Sequence, residues 1–138
     1  MAETSRNKAV EHRIENQAAG FSAFKYRVLV ADDMATMHQL VKSILPRDQY
    51  EIIEAKDGEE ALAILNAQHF DVVLLDIMMP KKDGYEVLQQ ARGIFPLLPI
   101  IMVTTLDEIE NLQKAFALGA TDYITKPLKK NTLLDTIN

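Results

Sequence analysis

The chain contains no cysteine, which excludes disulfides and thiolate metal sites and fits a reducing compartment. No apolar run approaches the roughly 20 residues needed to cross a bilayer. The opening residues, Met1 to Lys8, lead into polar sequence without the apolar core of a secretory signal. Histidine is scarce. His12, His38 and His69 are far apart and show no ligand spacing, so all three are expected at the surface or partly buried. Basic residues are outnumbered, 15 Lys and Arg against 20 Asp and Glu, and the net charge of −5 argues against a nucleic-acid surface. What is present is ordinary for a globular protein: 138 residues, 48% hydrophobic and 25% charged. That is enough for one domain with a real core and too little for two ordinary ones. The expectation is an acidic cytoplasmic domain with neither membrane nor nucleic acid as partner.

Residues 1–25 differ from the rest. They are polar and charged, and the spacing of Ala9, Val10, Ile14, Ala18 and Phe21 allows a weakly amphipathic helix that Gly20 would stop. We read 1–25 as an N-terminal extension and 26–138 as the domain. Within the domain, short apolar segments predict strands at 26–31, 51–55, 71–75, 99–104 and 121–124. Helices are expected between them at 34–45, 58–67, 84–94, 107–118 and 129–137. Pro46 ends the first helix, Asp57-Gly58 opens the second, Gly84 starts the third and Gly119 stops the fourth. Asp107 reads as the fourth helix's N-cap, with Glu110 as its capping-box partner. The last helix is short, which suits either an abbreviated helix or a chain cut from a longer protein. Strands alternating with helices read as repeated βα units and hence a parallel sheet. The first, third and fourth strands are continuously apolar, as central strands covered on both faces should be. The second carries Glu51 and Glu54 and looks like an edge. The fold class is α/β, a doubly wound five-stranded sheet with ligands expected at the carboxyl ends.

Those ends carry the chemistry. Val28-Leu29-Val30-Ala31 runs into Asp32-Asp33, Val72-Val73-Leu74-Leu75 into Asp76, and Ile100-Ile101-Met102-Val103 into Thr104-Thr105. A carboxylate ending a buried strand costs free energy unless it is paired, bonded or used. Laid side by side in parallel, these strands bring together three acids and a hydroxyl, a cluster that favours a divalent cation. Hard oxygen ligands beside open positions suit Mg²⁺. Lys126 follows the fifth strand, where its ammonium can pair with Asp76 or a phosphate. A carboxylate nucleophile, a metal, an ammonium and a hydroxyl donor form a phosphoryl-transfer constellation. One of Asp32 and Asp33 is also expected to cap the first helix.

This ordered set resembles the receiver domain of bacterial two-component response regulators, the chemotaxis-type single-domain regulators among them, over residues 26–138. The resemblance rests on Asp32-Asp33, on Asp76 in Leu74-Leu75-Asp76-Ile77-Met78-Met79-Pro80-Lys81-Lys82-Asp83-Gly84, on Thr104, and on Lys126-Pro127. It implies the flavodoxin-like strand order 2-1-3-4-5. It implies that Asp76 is the phosphoacceptor, fed by a histidine kinase or histidine phosphotransferase, and that an output protein or domain reads the result. Asp33 is then a direct Mg²⁺ ligand, Asp32 a looser or water-mediated one, and the backbone carbonyl of Met78 another. Thr104 and Tyr123 form the switch pair, Lys126 bridges to the phosphoryl group, and the Lys126–Pro127 bond is expected to be cis. Such a domain is no enzyme beyond its own phosphoryl transfer and dephosphorylation.

In the family, the side chains two residues after the phosphoacceptor and two after the switch threonine flank the path of hydrolytic water. Here they are Met78 and Leu106, both apolar, and a long-lived phosphorylated state is expected. Receivers that dimerise for DNA binding usually have Asp-Asp-Tyr before the lysine and Phe after the proline. This chain has Thr121-Asp122-Tyr123 and Leu128, which does not support that mode. A haloacid-dehalogenase-type hydrolase needs a second Asp where Met78 stands. A flavin carrier needs a phosphate loop where Asp32-Asp33 would repel the cofactor. A receiver-like interaction domain that is never phosphorylated is the strongest rival, but such domains usually lose an acidic or lysine position, and none is missing.

Overall fold

The computed structural model describes residues 25–137; the extension read at 1–25 lies almost wholly outside them. Its elements alternate: β1 (Tyr26–Ala31), α1 (Ala35–Ile44), β2 (Tyr50–Ala55), α2 (Gly58–Ala67), β3 (Val72–Leu75), α3 (Gly84–Ile94), β4 (Ile100–Thr104), α4 (Ile109–Ala117), β5 (Asp122–Thr125) and α5 (Lys130–Ile137). All strand pairs are parallel, and the sheet runs β2-β1-β3-β4-β5. This is the expected order, with β2 at an edge.

Alternating side chains of the central strands feed two cores. Leu29, Val73, Leu75, Ile100 and Met102 face α2, α3 and α4, meeting Leu62, Leu65, Val87, Leu88 and Ala115. Val28, Val30, Leu74, Ile101 and Val103 face α1 and α5, meeting Met37, Val41, Leu133 and Ile137. A strand buried on both faces has no polar side to show, which is why these segments read as unbroken apolar runs.

Helix starts explain the boundaries. The Asp57 side chain accepts from Glu60 N at 2.8 Å, and the Asp83 side chain from Glu86 N at 3.0 Å, so α2 and α3 begin where caps satisfy their free amides. The box expected at Asp107 and Glu110 does not form. Glu108 occupies the N-cap of α4 without a side-chain bond, one residue later than that pairing needs. Neither Asp32 nor Asp33 caps α1. Met34 holds that position, and Asp32 Oδ1 accepts from Met34 N at 2.9 Å, ahead of the helix.

Two glycines answer to geometry. A Cβ on Gly84 would stand 2.2 Å from the backbone oxygen of Asp76, so only glycine lets α3 start this close to β3. Gly119 has φ 106° and turns the chain out of α4.

Candidate functional site

Register brings the site together. Ala31 pairs with Leu75, so the next residues, Asp32 and Asp76, leave adjacent strands side by side. Thr104 pairs with Thr125, which sets Lys126 one residue beyond the same edge. Carboxylate oxygens of Asp32, Asp33 and Asp76 all lie within 4.8 Å of one another. Asp32 and Asp76 are 1% and 6% exposed, and Thr104 is fully buried, while Asp33 is exposed.

Lys126 offsets this crowding. Its Nζ lies 2.7 Å from Asp32 Oδ2 and 3.2 Å from Asp76 Oδ2. Burial works against its charge, but the hydrogen bond to Asp32 and the charges of Asp76 and Asp32 outweigh it and hold the pKa above the usual lysine value. The peptide bond joining Lys126 to Pro127 is cis, as expected. Asp76 Oδ1 also accepts from Met78 N at 3.3 Å. Asp76 is held by weak, long bonds on both oxygens, whereas Asp32 is held by short ones.

The hydroxyl side of the site is linked to α4. Thr104 Oγ1 accepts from Leu106 N at 3.4 Å, and the Tyr123 hydroxyl donates to the Leu106 carbonyl. Tyr123 is half-buried, and its phenol is pushed up to about 12, first by burial and then by Tyr85, Asp107 and Asp76. Thr104 and Tyr123 therefore meet at one residue, Leu106, in the loop that enters α4. Met78 is 58% exposed at the rim, while Leu106 packs against the core.

The profile of the response regulator receiver domain matches residues 28–138. The chain belongs to the receiver-domain family. It is 33% identical, with a TM-score of 0.78, to a CheY-like receiver domain protein from Methanospirillum hungatei, covering 83% of this chain and 91% of that one. The chemotaxis response regulator CheY4 of Vibrio cholerae is 36% identical at a TM-score of 0.76, covering 83% and 97%. Among curated proteins, a probable transcriptional regulator of Porphyridium aerugineum is 42% identical over 109 residues, 79% of this chain but 45% of that protein. This chain thus spans less than half the length of that relative. The receiver fold is a signalling domain, and no helix among the described residues is long and apolar enough to cross a membrane.

A third expectation is overturned. His38 is neither at the surface nor partly exposed; it is 2% exposed, and its Nε2 sits 2.7 Å from the Asp32 carbonyl. Its spacing does place it on the buried face of α1 with Met37, Val41 and Ile44; only its residue type pointed to the surface. Two further side chains tie elements together. Tyr85 of α3 donates to Asn111 Oδ1 at 3.0 Å and lies under Lys114 Nζ at 4.2 Å, tying α3 to α4. Arg92 donates to the carbonyls of Gly119 and Leu98 at 2.7 and 2.6 Å. The Asp83 cap was legible in the spacing of Asp83 and Glu86; the cross-helix contacts had no local signal.

Proposed function

We propose that this receiver domain is a phosphorelay switch whose phosphoacceptor is Asp76. The observation that carries the proposal is the set of three carboxylates within 4.8 Å, bridged by Lys126 at the carboxyl edge of the sheet. The all-oxygen donor set fits Mg²⁺, with Asp33, Asp76 and the Met78 carbonyl as direct ligands and Asp32 as a looser one. Bound there, Mg²⁺ neutralises charge on the transferring phosphoryl oxygens and on the attacking carboxylate.

A carboxylate oxygen of Asp76 attacks the phosphorus of a phosphohistidine on a histidine kinase or phosphotransferase. An acyl phosphate forms, the P–N bond breaks, and its electron pair leaves with the imidazole, which takes up a proton. Lys126 Nζ, already 3.2 Å from Asp76, meets the charge that arrives, and the buried Thr104 hydroxyl donates to a phosphoryl oxygen. As Thr104 moves inward, its bond to Leu106 N is redirected, and Tyr123, bonded to the same residue, passes the change to α4, β5 and α5. An output protein or domain reads that surface.

The net charge of −5 supports a role without bound nucleic acid, and the cysteine-free composition supports a cytoplasmic location. Residues 1–25 are then an extension outside the receiver at 26–138.

Intact mass after incubation with acetyl phosphate and Mg²⁺ tests the reading. The expected result is one added phosphoryl group, absent when Mg²⁺ is chelated beforehand and absent in Asp76→Asn. Absence of the adduct in the unsubstituted chain would favour a receiver-like interaction domain instead.

A further inference from the structure

His38 occupies a costly position. It stands one turn into α1, its side chain directed back along the helix toward the acidic loop. The ring is 98% shielded, and Nδ1 has no hydrogen-bond partner among the described residues. The Asp32 carbonyl can only accept, so the 2.7 Å contact requires the proton on Nε2. Nδ1 is then a buried polar atom left without a partner among the described residues, an arrangement that lowers stability. A leucine would fill similar space without that orphan. What the imidazole adds at this site, and leucine cannot, is a donor to the carbonyl that joins Asp32 to Asp33.

That donor completes the fastening of Asp32. Its N–H donates to Ala55 O at 3.0 Å, Oδ1 accepts from Met34 N at 2.9 Å, and Oδ2 accepts from Lys126 at 2.7 Å. With His38 on the carbonyl, each polar atom of Asp32 has a partner, and the peptide plane leading into Asp33 cannot rotate without breaking a buried bond. Asp33 itself is exposed, and among the described residues no side-chain hydrogen bond holds its carboxylate. Its distance from Asp76 is therefore set by the backbone that His38 grips.

We propose that His38 is a positioning residue of the acidic site, holding the Asp32–Asp33 peptide so that the Asp33 carboxylate is presented to a divalent cation beside Asp76. This rests on the metal-dependent reading above and extends it to a residue that touches neither the cation nor the phosphoryl group. Partners that orient ligands from behind typically change metal affinity about 10–100-fold when removed.

Two measurements test it. Mg²⁺ titration followed by backbone amide shifts should show His38→Leu binding roughly tenfold more weakly, at the low end of such effects. Its urea midpoint should stay near that of the unsubstituted chain. His38→Gln, whose amide nitrogen can reach the same carbonyl, should recover most of the affinity. Unchanged affinity in His38→Leu, or equal weakening in both variants with loss of stability, would overturn the role. The second measurement needs no variant: long-range nitrogen–proton correlations of the imidazole should show the Nε2–H tautomer. An Nδ1–H tautomer would refute the contact even if His38→Leu failed to fold. Failure of the unsubstituted chain to bind Mg²⁺ would overturn the metal site and the role of His38 with it, whereas normal Mg²⁺ binding with Nδ1–H would overturn His38 alone.

Discussion

Among the described residues Lys126 is the one ammonium in contact with both buried acids of the site, so its removal isolates the electrostatic problem the strands create. Lys126→Met leaves Asp32 and Asp76 facing one another without a counter-charge. The expected cost is about 3–5 kcal/mol in urea unfolding without metal, because breaking a buried pair strands its partners. Mg²⁺ should restore part of this loss by supplying positive charge to the same carboxylates. The pH dependence has a definite sign. Lys126 and Tyr123 both have raised folded-state values, Tyr123 from 10.0 to about 12. Each contributes stability that is fully present below its ordinary value and lost as pH rises through its folded value. Stability should therefore fall across pH 10 to about 12, with the Tyr123 phenol among the last to ionise by ultraviolet absorbance. The identities of these residues were legible from their places after apolar strands. Their pairing was not, since Lys126 and Asp32 are 94 residues apart.

Among the elements, α4 is the least anchored. Ala115 is its one fully buried residue, while Ile109 and Phe116 are 69% and 44% exposed. Contacts at its two ends hold it. Arg92 grips the Gly119 and Leu98 carbonyls behind the C-terminal end; Tyr85 and Tyr123 hold Asn111 and Leu106 at the entry. Tyr85→Phe should cost only about 1 kcal/mol globally, yet amide exchange in the first turn of α4 should rise clearly. Arg92→Ala removes several donors at once and should cost about 2–3 kcal/mol, with faster exchange at the β4 entry as well. If exchange rose uniformly over all helices, α4 would not be a separately held unit. Helix existence was legible from apolar spacing, but the start of α4 was not. The Asp107–Glu110 pattern suits a cap one residue earlier than the loop from Thr104 permits, and tertiary tethering of that loop overrides the local signal.

At the level of the whole molecule, the switch depends on the phosphorylated state outliving the search for a partner. Met78 lies exposed at the rim and Leu106 packs on the core, and neither can orient a water. Decay of the acyl phosphate in Mg²⁺ should take minutes or longer, and Met78→Asn and Leu106→Glu should each shorten it. Loss within seconds in the unsubstituted chain would show that another group directs the water. Gly84→Ala should disturb fold and site together, because the added methyl would meet the Asp76 backbone. The α/β alternation, the strands buried on both faces and the set of acids, hydroxyl and ammonium at their ends are legible in the linear chain, because period and residue type are local properties. The tertiary structure alone decided that Lys126 favours Asp32 over Asp76 in contact distance, that Tyr123 and Thr104 converge on Leu106, and that His38 turns inward to grip the acidic loop. These are matters of register and helix rotation, set by how the two cores pack against one sheet.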